Sequence, residues 1–255
     1  MSDICSDFGV SSAYIHKWLK SQQGVKEESL TDWLLYDIDL RRSDVIYRIF
    51  SRREEARETG ADWEWWLVFS DGAVRLRVQA KKLRAAHDNY PGLAHANKYG
   101  PQIDKLIADA AVVNAFPIYV FYSPNPSSSK CSLGGHLACG VHVAGAATVK
   151  QNLLSKKRHV SEADAIALST PLQCLVCCPL TRTMTSISGI LNYMHRYLIV
   201  DKNGVAIRSM PGHYDSLPHF ISSLLDQDGY VPDWWESEFH REIADVNAIF
   251  ITDMR

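Results

Sequence analysis

The sequence predicts an α/β protein of the mixed-sheet (α+β) kind, and three stretches carry that prediction. The first is Thr59 to Lys82, TGADWEWWLVFSDGAVRLRVQAKK, two alternating runs joined at Asp71-Gly72, which is the strongest short-range hairpin signal a sequence offers. The second begins at Glu27, where Leu30, Trp33, Leu34 and Ile38 recur at helical spacing behind acidic residues suited to a helix N-terminus. The third couples a helical pattern over Pro101 to Val113 to the continuous apolar run Ala115 to Tyr122, AFPIYVFY, which reads as a buried strand.

Taken in order, residues 1–26 hold a short amphipathic helix built on Tyr14, Ile15, Trp18 and Leu19, expected to pack as an accessory. The helix from Glu27 follows. Asp44 to Arg52 alternates as a strand, and Arg53 to Glu58 reads as a charged connection, with Glu58 four residues ahead of Asp62. Leu83 to Tyr99 is a polar loop leaving the hairpin, a position where loops commonly carry substrate contacts. Beyond Ser123, a strand near Cys139 to Lys150, an apolar piece from Pro171 to Pro179, a helix over Ser186 to Val200 and a shorter one over Leu217 to Leu225 are expected. Trp234, Trp235, Phe239, Ile243 and Val246 extend the helical pattern toward the end. The division that follows is 1–26 accessory helix, 27–123 core, and 124–255 an elaboration packed on the core.

If Asp71 and Gly72 form the hairpin loop, Asp62 stands opposite Lys81 and Glu64 opposite Gln79, with opposed side chains about 5 Å apart at Cβ. On the second strand Val74, Leu76, Val78 and Ala80 point one way and Arg75, Arg77, Gln79 and Lys81 the other. The apolar side is expected to pack and the polar side to be free for chemistry.

Gly60-Ala61-Asp62 followed by Gln79-Ala80-Lys81, set within the order helix, three strands, helix, strand, resembles the PD-(D/E)XK nuclease superfamily, whose fold is restriction-endonuclease-like. Gln79 stands where that superfamily usually carries Glu or Asp. The resemblance implies a metal-dependent nuclease, with Asp62, Gln79 and Lys81 catalytic. It implies a cation held by Asp62, the Gln79 side-chain oxygen and the Ala80 carbonyl, with Glu64, Glu27 or Glu28 as further ligands. Hard oxygen donors suit Mg²⁺, with Mn²⁺ substituting, and an amide in place of an acid implies a high magnesium requirement. Gln102 resembles the glutamine on the corresponding helix of exonuclease-like branches. Arg75, Arg77, Lys82 and Gln102 are the expected substrate contacts. Nucleic acid is the implied partner, DNA ahead of RNA, in a prokaryotic defence or DNA-processing setting. A homo-oligomer or a defence-system partner protein is compatible with it.

Charge agrees in part. The formal net charge is −2, but Arg41 to Arg84 holds eleven Lys and Arg against seven Asp and Glu, while Leu224 to the end holds eight acids against two arginines. A basic zone around the hairpin suits a phosphate backbone, and a solvated charged surface explains it equally well. No apolar run approaches the ~20 residues that cross a bilayer, and the N-terminus lacks a signal-peptide pattern, so a cytoplasmic protein without membrane contact is expected. Six cysteines are sparse and Cys177-Cys178 are adjacent, so reduced thiols are expected. Cys174 and Cys177, with Cys131, His136, Cys139 and His142, have zinc-ligand chemistry. A single CxxC in an apolar segment is more often buried thiol packing, and zinc is not assigned. Two other functions stay open: a nucleic-acid-binding or interaction protein that keeps the fold without turnover, and a subunit of a larger assembly docking through the acidic, aromatic C-terminal stretch.

Overall fold

The computed structural model describes residues 3–50, 60–98, 100–124, 139–156, 159–199, 210–226 and 246–255. In chain order the elements are α1 (Ile4–Ser21), α2 (Glu27–Arg41), β1 (Val45–Ile49), β2 (Trp63–Phe69), β3 (Gly72–Lys82), the two-residue strands β4 (Ala96–Asn97) and β5 (Gly100–Pro101), α3 (Gln102–Val112), β6 (Phe116–Tyr122), β7 (Val141–Gly145), α4 (Ala146–Val149), α5 (Glu162–Ala167), β8 (Thr170–Pro171), α6 (Cys174–Cys177), α7 (Ile187–Tyr193), β9 (His213–Tyr214), α8 (His219–Asp226) and β10 (Ala248–Asp253). A mixed sheet runs β1-β10-β2-β3-β6-β7-β8, with β9 added beside β3. Helices cover both of its faces. The predicted order of helix, three strands, helix, strand is present as α2, β1, β2, β3, α3 and β6.

One face carries Trp63, Trp65, Leu76, Val78 and Phe250 against α1, α2, α6 and α7; the other carries Trp66, Tyr119, Phe121 and Ile249 against α3, α4, α5 and α8. Both faces are therefore dry, which explains why β2 is buried at every position while reading as an alternating strand. The polar side of β3 is correspondingly not free: Arg75, Arg77, Gln79 and Lys81 are all buried. Only its C-terminal end reaches solvent.

The hairpin register differs from the expectation by two residues. Phe69 pairs with Gly72 and Glu64 with Arg77, so the loop is Ser70-Asp71. The glycine is spent on a close approach instead of a turn: a Cβ at Gly72, whose φ is 146°, would lie 2.5 Å from the Tyr214 carbonyl oxygen and 2.8 Å from Ile187. Asp71 meanwhile accepts a hydrogen bond from the Ile187 amide at 3.2 Å. A slip of two residues, unlike a slip of one, keeps every side chain on its face. The polar set of β3 therefore stays together, with new partners.

Two segments expected to be peripheral belong to the interior. Helix α1 is longer than predicted and buries Ile4, Phe8, Ile15 and Leu19 in the core, Phe8 stacking on Trp65 with ring centres 5.9 Å apart. Its apolar stripe is masked in sequence by Ser11 and Ser12, buried hydroxyls that hydrogen-bond to Asp37 and to Cys139 and the Val141 amide. Strand β10, from the stretch assigned to a C-terminal elaboration, lies between β1 and β2, antiparallel to the first and parallel to the second. The residues from Trp234 to Ile243, and Glu58, lie outside the described residues.

The thiol expectation is corrected as well. Cys5 and Cys177 form a disulfide with Cα atoms 5.3 Å apart, tying α1 to α6 across 172 positions of sequence, a separation at which no spacing pattern could announce the pair. Cys177 is thus committed to Cys5, and Cys139, Cys174 and Cys178 are buried thiols. A cross-link closing so long a loop restricts the unfolded chain strongly. Reduction, or Cys5→Ser, is expected to cost about 2–4 kcal/mol, read as a lower denaturation midpoint with dithiothreitol than without, and no reductant effect in the variant. Equal midpoints in wild type would show that the bond adds no stability.

Candidate active site

The candidate site lies at the C-terminal end of β3, where groups arrive from both faces of the sheet. Asp62 precedes β2 by one residue and is set there by Gly60. That glycine adopts a φ of 77°, and a Cβ on it would come within 2.8 Å of the Gln102 carbonyl oxygen, so a side chain is excluded on two counts. One carboxylate oxygen, Asp62 Oδ2, accepts hydrogen bonds from the Ala80 amide at 2.7 Å and from Gln79 Nε2 at 2.6 Å. Gln79 Nε2 also donates to the Ala80 carbonyl at 3.0 Å, and Gln79 Oε1 accepts from Gln102 Nε2 at 2.7 Å.

Glu27 comes from the first turn of α2 on the opposite face. Its Oε2 accepts from the Lys82 amide at 2.5 Å, and its Oε1 lies 3.8 Å from Lys81 Nζ. The Lys81 side chain is buried and covered by Gly92 in the loop after β3: a Cβ at that glycine would meet the lysine chain at 3.3 Å. That loop, expected to offer substrate contacts, here encloses the ammonium group. Outside these residues, Glu27, Glu28, Thr31, Asp32, Tyr47, Asp62, Trp63 and Asn247 line a cleft of about 140 Å³.

Burial dominates the electrostatics. Desolvation pushes Glu27 up to about 7 against the pull of Lys81, and the neighbouring Asp62 and Glu28 charges add to the rise. Asp62 is raised too, by burial first, with Lys81 and the hydrogen bonds from Ala80 and Gln79 opposing. Both carboxyls are thus raised at one spot, a shift that an added positive charge there would oppose.

The fold favours protonated Glu27, so no penalty is present below its unfolded value near 4.5, and stability is lost as pH rises through about 7. Relative to Glu27→Gln, which mimics the protonated form, wild type is expected to lose on the order of 2 kcal/mol between those limits, a figure reduced for screening at a side chain 29% exposed. Thermal midpoints of both proteins from pH 4 to 8, without added metal, test it. A constant difference would remove Glu27 from the cleft's electrostatics.

Several expected site residues stand elsewhere. Glu64 does not reach the site: fully buried and facing Arg77 in the observed register, it bonds Trp66 Nε1 at 2.6 Å, Arg75 Nη2 at 2.9 Å and Arg77 Nε at 3.4 Å. Arg75 and Arg77 are not substrate contacts either. Arg75 also donates to the Val113 carbonyl and the Tyr214 hydroxyl, and Arg77 lies 3.4 Å from Asp109. Among the described residues of the basic zone, Arg41 and Arg42 are also paired, with Asp37 and with Asp7 and Asp44, so several of its charges are matched within the chain. Lys82, expected to meet substrate, donates to the carbonyl oxygens of Gln23 and Val25 at 2.5 Å each and so fixes the entry to α2. Glu28 is exposed at the cleft, and Gln102 touches Gln79. Tyr119 was not singled out in the sequence; it pairs with Gln79 across to β6, and its buried hydroxyl has no hydrogen-bond partner among the described residues. Only the β6 register, invisible before the parallel pairing is known, could have marked it.

The remaining oxygen donors, the Asp62 and Glu27 carboxylates and the Ala80 carbonyl, fit a hard divalent cation, for which one or two carboxylates suffice, while the Gln79 oxygen is turned to Gln102. No cluster of three or more His, Cys, Asp or Glu side chains suited to a metal occurs among the described residues. The fit therefore rests on Asp62 and Glu27 with oxygens of carbonyl type.

Comparison with known families adds one finding. A model described as a family of unknown function, DUF6615, matches residues 5–251. The chain belongs to DUF6615. That match spans the whole DUF6615 candidate site, from Glu27 to Gln102, and reaches from Cys5 of the disulfide to Ile251 of β10, so the peripheral-looking ends are part of the family's unit. No curated protein matches the sequence.

Proposed function

We propose that this DUF6615 protein is a divalent-cation-dependent nuclease of PD-(D/E)XK type, hydrolysing phosphodiester bonds of nucleic acid, DNA ahead of RNA. The convergence of Asp62, Glu27 and Lys81 around the end of β3 is the observation that carries this reading. When bound, the cation would polarise the phosphate and lower the pKa of the attacking water. Asp62 and Glu27, with the Ala80 carbonyl, would hold it. Lys81, buried beside both carboxylates, is placed to orient the water and to offset charge building on the phosphorus oxygens. Asp62 is fixed by the Ala80 amide, so its carboxylate does not have to be ordered on binding.

A cytoplasmic setting and a role in defence or DNA processing belong to the same proposal. The Cys5–Cys177 bond is the observation against a reducing compartment. No helix of the described residues is long and apolar enough to cross a membrane.

A second reading has an observation of its own. Gln79 Nε2 bridges Asp62 and the Ala80 carbonyl, satisfying with an amide what a cation would otherwise satisfy, which favours a nuclease-like fold that binds nucleic acid without cutting it. Incubating the purified protein with plasmid and single-stranded DNA, and with RNA, across Mg²⁺ and Mn²⁺ separates the two. Cleavage lost in Asp62→Asn supports the nuclease. Binding without cleavage under any metal supports the second reading, and neither binding nor cleavage defeats both.

A further inference from the structure

The Gln79 side chain turns its nitrogen toward the carboxylate. Its nitrogen donates to Asp62 Oδ2 at 2.6 Å and to the Ala80 carbonyl at 3.0 Å, while its oxygen accepts from Gln102 Nε2 at 2.7 Å. An amide in this pose cannot give its oxygen to a cation held by Asp62 and Ala80. Turning Gln79 over alone would set its NH₂ group against the NH₂ of Gln102, and two opposed donors at hydrogen-bond distance in a largely buried place are costly. Turning both over restores the bond with donor and acceptor exchanged. We propose that Gln79 and Gln102 form a coupled amide switch: cation binding reverses both together, and Gln102 is the positioning residue that holds Gln79 in either pose. The inference rests on the cation-binding reading above and goes beyond it by giving Gln102 a role toward Gln79 in place of the substrate.

A site with glutamine at this position then differs from an acidic one in more than charge. A carboxylate offers oxygen to every neighbour whichever way it is turned, whereas the amide must first give up bonds to Asp62 and Ala80. The orientation of Gln102 therefore enters the apparent cation affinity, even though Gln102 touches no cation.

The test is a cycle of four proteins, wild type, Gln102→Glu, Gln79→Glu and the double variant, titrated calorimetrically with Mn²⁺ alone. Gln102→Glu can only accept, so it holds the Gln79 nitrogen toward itself and the oxygen toward Asp62; affinity is expected to rise about five- to tenfold, the worth of one hydrogen bond that no longer has to be reversed. In the Gln79→Glu background there is no pose to select, and a second carboxylate opposite the first is expected to leave affinity unchanged or weaken it. The opposite response of the two backgrounds is the signature. Tightening in both backgrounds would reduce the effect to added charge and overturn the switch, as would no change in either. No Mn²⁺ binding by wild type or by Gln79→Glu would overturn the cation reading and the switch with it, a result distinguishable from binding that responds alike in both backgrounds. Position 102 opens α3, where an added acid favours the helix, so Gln102→Glu is expected to fold. As a second readout, the side-chain amide resonances of Gln79 and Gln102 should move along one curve as Mg²⁺ is added. Movement of Gln79 without Gln102 would end the proposal.

Discussion

Lys81→Met is expected to cut DNA cleavage by about a hundred- to a thousandfold, the cost of removing one preorganised charge from the point where charge develops, while Mn²⁺ binds more tightly than to wild type. The second half of that expectation is what makes it specific. Lys81 Nζ sits 3.8 Å from Glu27 and its charge opposes the rise in both carboxyl pKa values, so within the cleft it competes with a cation for the same two anions. Removing it leaves the carboxylates to the metal and takes away the group that acts on water and phosphate. Asp62→Asn should behave oppositely in binding, losing cation affinity and cleavage together. Cleavage rate and Mn²⁺ affinity measured on the same two variants decide the matter. A Lys81→Met protein that still cleaves within a few fold of wild type would show that the lysine is only a buried partner of Glu27. Lys81→Arg is not expected to restore activity, because Gly92 closes over the lysine chain at 3.3 Å for a Cβ and leaves little room for a guanidinium.

The outcome at this one spot shows what a sequence can and cannot disclose. Period-two alternation in Gly72 to Lys82 placed Arg75, Arg77, Gln79 and Lys81 on one face, and the two-residue error in register did not disturb that, because strand faces repeat every two residues. Which of the four reach solvent was another matter. It depends on α3 closing over the face and on β6 lying beside β3, and β6 pairs with β3 in parallel through contacts some forty residues apart, which no local pattern encodes. Glu27 could be proposed because a first-turn acid on the helix before the sheet is visible in sequence, yet its approach to Lys82 depends on α2 crossing the strand end. Helices α2, α3 and α8 were legible, each from apolar residues recurring at helical spacing. Strand β10 was not, since Ala248 to Ile251 is a short buried run that periodicity cannot tell from a helix segment. Helix α1 was legible from Tyr14 to Leu19 but not over its first turns, where buried Asp7, Ser11 and Ser12 interrupt the stripe although they pack inward.

The largest stability effect is expected from the acid that the mistaken register placed in the site. Glu64→Ala should destabilise the fold by about 3–5 kcal/mol, the cost of leaving buried charge without its partner, and here two guanidinium groups, Arg75 and Arg77, lose the same carboxylate. Arg77 keeps Asp109 at 3.4 Å, and Arg75 keeps the Val113 carbonyl and the face of Trp66, so the loss falls short of two isolated charges. Trp66 Nε1 loses its acceptor as well. Glu64→Gln keeps an acceptor for Trp66 and removes only the charge, and should lie between wild type and alanine. Replacing Glu64, Arg75 and Arg77 together with apolar residues of similar volume should cost less than Glu64→Ala alone, since no charge is then stranded. Urea midpoints at constant slope would measure all three. The same proteins discriminate structure from site: if Glu64 serves only the ion network, Glu64→Gln binds Mn²⁺ as wild type does, because Glu64 is two residues, about 7 Å along the strand, from Asp62 and turned to Arg77. A Glu64→Gln protein of unchanged stability and weakened cation affinity would return Glu64 to the ligand set and require β2 and β3 to shift against each other when the cation arrives.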